Sequence, residues 1–213
     1  MKKKILVLTM IIPFFFSTHA QKECISKCTE YLFWHPKEGY GLNETNFIEL
    51  VMHKDSLYCS CITNCSLPQV TFQDMKKNTI SSGSLSGKIL IVNFWFTGCH
   101  ACLHEFKALK RISEELLSNR ADKYVFLSIT FDTEEQVRST KWWEYIGFSN
   151  IIPNAQQTIN DFGINSFPSS MVIDAQSCVY PIHISFIEAN DNLGNEEEMF
   201  YKKIKQVLSE VDP

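Results

Sequence analysis

The chain has 213 residues, with 24 acidic against 20 basic side chains and a formal charge of −4. No basic patch stands out, which excludes nucleic acid as an expected partner. Eight cysteines are more than a reducing compartment favours, and an even number permits complete pairing.

Lys2, Lys3 and Lys4 precede an apolar run from Ile5 to Phe16, broken only by Thr9 and Pro13. Ser17-Thr18-His19-Ala20 then ends on a small residue. This is the layout of a secretory signal peptide, with cleavage expected after Ala20. The run is about twelve residues, short of the ~20 that cross a bilayer, so no lasting membrane span is expected. Lys22 and Glu23, just before Cys24, do not suit a lipoprotein signal. The expected organisation is a signal at 1–20, a Cys-rich extension at 21–65 and a folded domain at 66–213.

In the extension, Asn46 to Glu49 resembles a capped helix start, followed by Val51 and Met52 at helical spacing. Cys24-x3-Cys28 and Cys61-x3-Cys65 form a twin pattern. On two antiparallel helical segments, outer would pair with outer and inner with inner: Cys24–Cys65 and Cys28–Cys61. Cys59 and Cys178 would remain, available to tie the extension to the domain. Six cysteines allow fifteen connectivities, and a four-Cys zinc site is the rival arrangement. Export favours disulfides, so no metal is expected.

In the domain, 69–74 and 79–85 read as short strands around a Ser/Gly-rich turn at 81–87. Ile89 to Trp95 is a nearly continuous apolar run, the mark of a strand buried on both faces. Thr97-Gly98 breaks it. A helix is predicted from about His100 to Ser118, with Leu103, Phe106, Leu109, Ile112 and Leu116 on one face. A second buried strand follows at 124–131, a helix at 134–145, a short strand at 151–152 and a short helix at 155–162. Strands at 169–174 and 179–186 form a hairpin about Ala175-Gln176-Ser177, and an amphipathic helix at 196–211 closes the chain. This order predicts an α/β domain with a central mixed sheet flanked by helices.

The chemistry centres on Cys99-His100-Ala101-Cys102. Cysteines at i and i+3 on the first turn of a helix reach each other, and the open N–H groups and helix dipole favour a thiolate at Cys99. A zinc site would need a second close pair in this domain, where only Cys178 remains. A c-type haem would need His at 103, which is Leu. A peroxidase of the Pro-x3-Thr-x2-Cys type is disfavoured, because Val92 stands where Pro is needed and Thr97 is one residue too close to Cys99. No cofactor is expected.

Two stretches carry a family likeness: Ile91-Val-Asn-Phe-Trp-Phe-Thr-Gly-Cys-His-Ala-Cys-Leu-His-Glu-Phe106, and Phe162-Gly-Ile-Asn-Ser-Phe-Pro-Ser-Ser-Met-Val-Ile-Asp174. From about Ser66 onward the sequence resembles the thioredoxin superfamily, and most of all the extracytoplasmic TlpA/ResA-like thiol–disulfide oxidoreductases. The resemblance implies a thioredoxin fold, with an insertion between Asp132 and Ala155. It implies that Pro168 is a cis-proline facing the CxxC and that Phe167 lines the substrate groove. Glu105 matches an acidic residue that assists proton transfer in part of the group; its other reading is a solvated helix glutamate. Asn93 stands where ordinary thioredoxins bury an acid, and Ala101 where many relatives have proline.

The expected function is exported dithiol–disulfide exchange on protein or small-molecule thiols in the cell envelope, in a periplasmic setting. Cys99 attacks, Cys102 resolves, and a membrane electron donor is a possible partner. The alternative is a redox-inactive thioredoxin-like module that binds a metal or a partner protein. The direction of exchange is left open.

Overall fold

The computed structural model describes residues 23–24, 27–28, 57, 60–61, 65, 70–146, 148–182 and 195–212. The signal-peptide segment, the helix start at Asn46, Cys59 and the hairpin beyond Ile182 lie outside the described residues.

A small antiparallel pair, β1 (Thr71–Gln73) and β2 (Thr79–Ser81), leads into a single helical turn, α1 (Ser82–Leu85). The strand expected through Leu85 is cut short because Ser81 caps this turn: its hydroxyl accepts from Ser84 N–H, and the Ser84 side chain returns the bond. Next come β3 (Ile89–Trp95), α2 (Cys102–Arg120) and β4 (Tyr124–Thr130). The helix expected at 134–145 is two pieces, α3 (Glu134–Ser139) and α4 (Trp142–Tyr145), because Thr140 is extended at φ −108°, ψ 160°. Then follow β5 (Asn150–Ile152), α5 (Gln156–Asp161), β6 (Ser169–Ile173), β7 (Val179–Ile182) and α6 (Glu196–Val211).

Five strands form the central sheet in the order β5-β4-β3-β6-β7. β3 runs parallel to β4, which runs parallel to β5; β6 is antiparallel to both β3 and β7. All seven residues of β3 are buried, as its unbroken apolar run requires for a strand covered on both faces. Its alternation sorts the core. Ile89, Ile91 and Trp95 face α2 and α6, packing with Phe106, Leu109, Ile112, Phe200 and Ile204. Leu90, Val92 and Phe94 face the other way, toward Ile159, Phe162, Phe72 and the buried cysteines Cys28 and Cys65. Phe106 is fully buried and meets Trp95 edge-on at 5.5 Å; truncating such a ring costs about 3–5 kcal/mol.

The two hairpin turns share one design. Asp74 Oδ1 accepts from the N–H groups of Lys76 and Asn78, and Asp174 Oδ1 accepts from those of Gln176 and Cys178. Each turn has a positive-φ residue, Lys77 (68°) and Ser177 (70°), three places after its aspartate. These side-chain bonds hold a backbone shape that non-glycine residues otherwise avoid.

Cys24 is bonded to Cys65, and Cys28 to Cys61. Cys178 is a free thiol, which corrects the expectation that it forms a structural disulfide with Cys59. The reason is strand alternation. Val179 packs in the cluster that holds Cys28 and Cys65, so Cys178 turns to the opposite side with Tyr180, which borders the α2–α6 cluster. The sheet stands between Cys178 and the paired cysteines. Among the described residues no helix is long and apolar enough to cross a membrane.

Candidate active site

The register of β3 and β6 builds the site. Asn93 pairs with Ser170 and Phe94 with Ser169. One further step brings Trp95 beside Pro168, so the start of β6 and the end of β3 share one edge of the sheet. The Phe167–Pro168 bond is cis.

Beyond Trp95 the chain turns through Phe96, Thr97 and Gly98. Gly98 has φ +99°, a conformation that side chains disfavour. Thr97 N–H donates to Asp132 Oδ2 at 2.5 Å, and Cys99 N–H donates to Phe96 O at 3.1 Å. Asp132 is 5% exposed and also accepts from the Thr130 hydroxyl, so it pins the turn to the end of β4. His100 and Ala101 form a turn rather than helix, and α2 opens at Cys102. Ala101 supplies no side-chain cap, which leaves the helix dipole open toward Cys99.

Cys99 and Cys102 are joined as a disulfide with Cα atoms 5.4 Å apart. Cys99 keeps 6% exposure and Cys102 none, so an incoming thiolate meets Cys99. The exposed His100 turns back on its own loop, with Nδ1 3.0 Å from Gly98 O, and lies edge-on to Trp142.

Glu105 lies three residues after Cys102, on the same helix face. It is half-buried as a residue, but its carboxyl end turns inward. Oε2 accepts from Asn93 Nδ2 at 2.7 Å and from Ser170 Oγ at 2.8 Å. Asn93 and Ser170 are buried, and Asn93 Nδ2 also donates to Ser170 Oγ at 2.8 Å. Burial pushes the Glu105 carboxyl up to about 8, against the smaller lowering from the Ser170 and Asn93 hydrogen bonds. The solvated-glutamate reading does not fit this environment. Asn93 Oδ1 is buried without a hydrogen-bond partner.

On the outer side of the turn, Phe96, Phe131 and Phe167 form a triangle. Phe96 stacks on Phe131 at 5.7 Å, and Phe167 meets both edge-on at 5.5 and 5.6 Å. Phe131 is 36% exposed. Of the sequence-predicted site residues, Phe167, Pro168, Cys99, Cys102 and Glu105 gather here. Cys24, Cys28, Cys61 and Cys65 belong to the far face of the sheet. Sequence reasoning missed Ser170, Asp132 and the aromatic partners Phe96, Phe131 and Trp142. The signal for Ser170 was its place two residues after Pro168, on the alternation of a strand.

A mixed five-stranded sheet, a CxxC entering a long helix and a cis-proline at the adjoining strand define a thioredoxin-superfamily protein. The chain belongs to the AhpC/TSA family, whose model matches residues 63–181. It is 25% identical over 122 residues to the thioredoxin-like protein YneN of Bacillus subtilis, covering 55% of this chain and 68% of that one. Among solved structures it is similar to the thioredoxin domain of a thiol-disulfide oxidoreductase from Bacteroides vulgatus (19% identity, TM-score 0.50, covering 67% of this chain and 94% of that one). It is also similar to a thiol:disulfide interchange protein from Bacteroides sp. (18%, TM-score 0.52, 70% and 89%). At these identities the structural likeness establishes the fold.

Proposed function

We propose that this chain is an exported thiol–disulfide oxidoreductase that exchanges dithiol and disulfide through Cys99 and Cys102, acting on protein thiols in the cell envelope. The reading rests above all on one observation: the Cys99–Cys102 pair opens α2 at the edge of the sheet where the cis Phe167–Pro168 bond lies, with the carboxyl of Glu105 turned inward one helical turn further on. Burial raises the Glu105 carboxyl toward the thiol range, which suits it to exchange a proton with Cys102. The twin disulfides of the extension support an oxidising compartment. The division into a leader at 1–20, an extension at 21–65 and a domain at 66–213 is part of the same proposal.

A donor thiolate attacks Cys99 Sγ, and the Cys99–Cys102 bond breaks. Cys102 leaves with the electron pair and takes the proton from neutral Glu105. A second donor thiolate releases Cys99 as thiolate, leaving the donor oxidised. In the reverse sense, Cys99 thiolate attacks a substrate disulfide; Glu105 then takes the Cys102 proton, and Cys102 closes the ring and expels the substrate thiolate. Phe167 and Pro168 present the backbone that receives the substrate segment as an added strand.

The test is insulin-type disulfide reduction. Cys99→Ser should abolish it, and Cys102→Ser should accumulate mixed disulfides on Cys99. Unchanged activity in Cys99→Ser would refute the assignment.

A further inference from the structure

The two cystines of the N-terminal segment are not independent. Cys28 Sγ lies 3.7 Å from Cys65 Sγ, a van der Waals contact between the buried sulfurs of neighbouring disulfides. The Sγ atoms of Cys24, Cys28 and Cys65 all lie within 4.8 Å of one another. Cys28 is 0% and Cys65 1% exposed, packed in one cluster with Phe72, Leu90 and Phe94. Cys24 and Cys61, their bonded partners, are only half-buried.

Such an arrangement cannot be opened symmetrically. Attack on outer Cys24 Sγ breaks the Cys24–Cys65 bond and puts the electron pair on Cys65. A thiolate there is surrounded by apolar side chains and has lost its water, which is costly. The neighbouring Cys28 Sγ is within reach, and thiolate attack on a disulfide sulfur is the ordinary exchange step. A Cys65–Cys28 bond forms, the Cys28–Cys61 bond breaks, and the electron pair moves to Cys61, where solvent supplies a proton. Attack first at Cys61 reaches the same product in the opposite sense: Cys28 is expelled, bonds to Cys65 and releases Cys24.

We propose that these four cysteines form one redox unit, separate from Cys99 and Cys102, whose two-electron-reduced state holds a buried Cys28–Cys65 disulfide beneath an outward dithiol of Cys24 and Cys61. The attacking group leaves Cys24 in a second step, a second external thiol taking the first away as their disulfide or water taking a phosphine away as its oxide, so one disulfide is consumed and two thiols appear. A thiolate on Cys65 or Cys28 is only a passing intermediate, and the two-electron-reduced state leaves neither buried sulfur charged. The segment thereby accepts and returns an electron pair at its surface while a cross-link always holds it. This does not depend on the reading of the CxxC site, which lies on the opposite face of the sheet.

The experiment uses the full mature chain under native conditions. Free thiols, Cys178 among them, are first blocked. The protein is then titrated with a water-soluble phosphine, which ends as phosphine oxide with oxygen from water. Samples are acid-quenched, alkylated with maleimide and mapped as linked peptides. The expected dominant two-thiol form of the cluster carries label on Cys24 and Cys61 and retains a Cys28–Cys65 linked peptide. Label confined to Cys24 with Cys65, or to Cys28 with Cys61, would mean independent opening and overturn the proposal. So would a cluster that stays closed until denaturant is added. Labelling of Cys99 and Cys102 is scored separately, so failure here leaves the CxxC reading intact.

Discussion

Asn93 donates to Glu105 across 2.7 Å while its strand partner Ser170 donates to the same carboxylate oxygen at 2.8 Å. The acid on α2 is thus held by residues from two adjacent strands. Both bonds favour the charged carboxylate, and burial opposes them and wins.

Asn93→Leu or Ser170→Ala removes a bond that lowers the Glu105 pKa, so each variant should move the carboxyl titration above about 8, Ser170→Ala by more. Asn93→Leu should cost little stability, because it also removes the unpartnered buried Oδ1. The readout is the Glu105 carboxyl titration by NMR. A downward shift would show that the bonds act the other way.

Glu105 also couples folding to pH. Its folded pKa of about 8 stands above the ordinary 4.5. The folded state therefore holds the proton more tightly, and this contribution is complete below about 4.5 and lost as pH rises through about 8. Denaturant titrations should show wild type losing stability relative to Glu105→Gln across that window. Parallel curves would contradict the buried-acid account.

At the other end of the molecule, Asp212 clamps the end of α6. It accepts from Lys123 and Tyr124 at the start of β4 and pairs with Arg120 at 2.8 Å. Burial alone would raise its pKa; the hydrogen bonds from Lys123, Tyr124 and Arg120 outweigh this and hold it at about 2. Because the folded pKa is below the ordinary 3.8, the stabilisation is present above that value and lost as pH falls through about 2. Asp212→Asn should be less stable than wild type at neutral pH, with the gap closing in acid. A gap independent of pH would assign the effect to packing alone.

Phe131 presents the exposed face of the three-phenylalanine cluster. If protein substrates lie along Phe167 and Pro168, Phe131→Ala should raise KM for a protein disulfide by about ten-fold, the equivalent of ~1.4 kcal/mol. Turnover of a small disulfide should be unaffected. Equal loss on both substrates would place the ring's role in folding of the site.

The parts legible in the sequence are those where one physical demand dominates. Ile89–Trp95 must be buried on both faces, and its run of apolar residues has the bounds of β3. The closing helix at 196–211 follows from its amphipathic spacing. The twin CxxxC spacing corresponds to the Cys24–Cys65 and Cys28–Cys61 pairs of the structure. Boundaries set by single side chains were harder to read. Ser81 turns a strand into a helical cap, and the extended Thr140 divides one helix into two. For Ser170 the sequence offers only its place two residues after Pro168; its contact with Glu105 depends on pairing with Asn93, which the antiparallel register supplies. The free thiol of Cys178 is likewise hidden from composition, which counts cysteines without regard to the face each occupies.

The carboxyl site has an order in time as well as in space. Glu105 and Ser170 are 65 residues apart in the chain, and Asn93 and Ser170 are 77 apart. A ribosome delivers β3, the CxxC turn and α2 well before β6. Until that last partner arrives, Glu105 lacks one of its two hydrogen-bond donors and the strand on which that donor is carried. A growing chain therefore displays Cys99 and Cys102 before the donor set around Glu105 is complete. The three-way contact of Asn93, Glu105 and Ser170 comes into being only when β6 closes the sheet, so assembly of the site waits on completion of the fold.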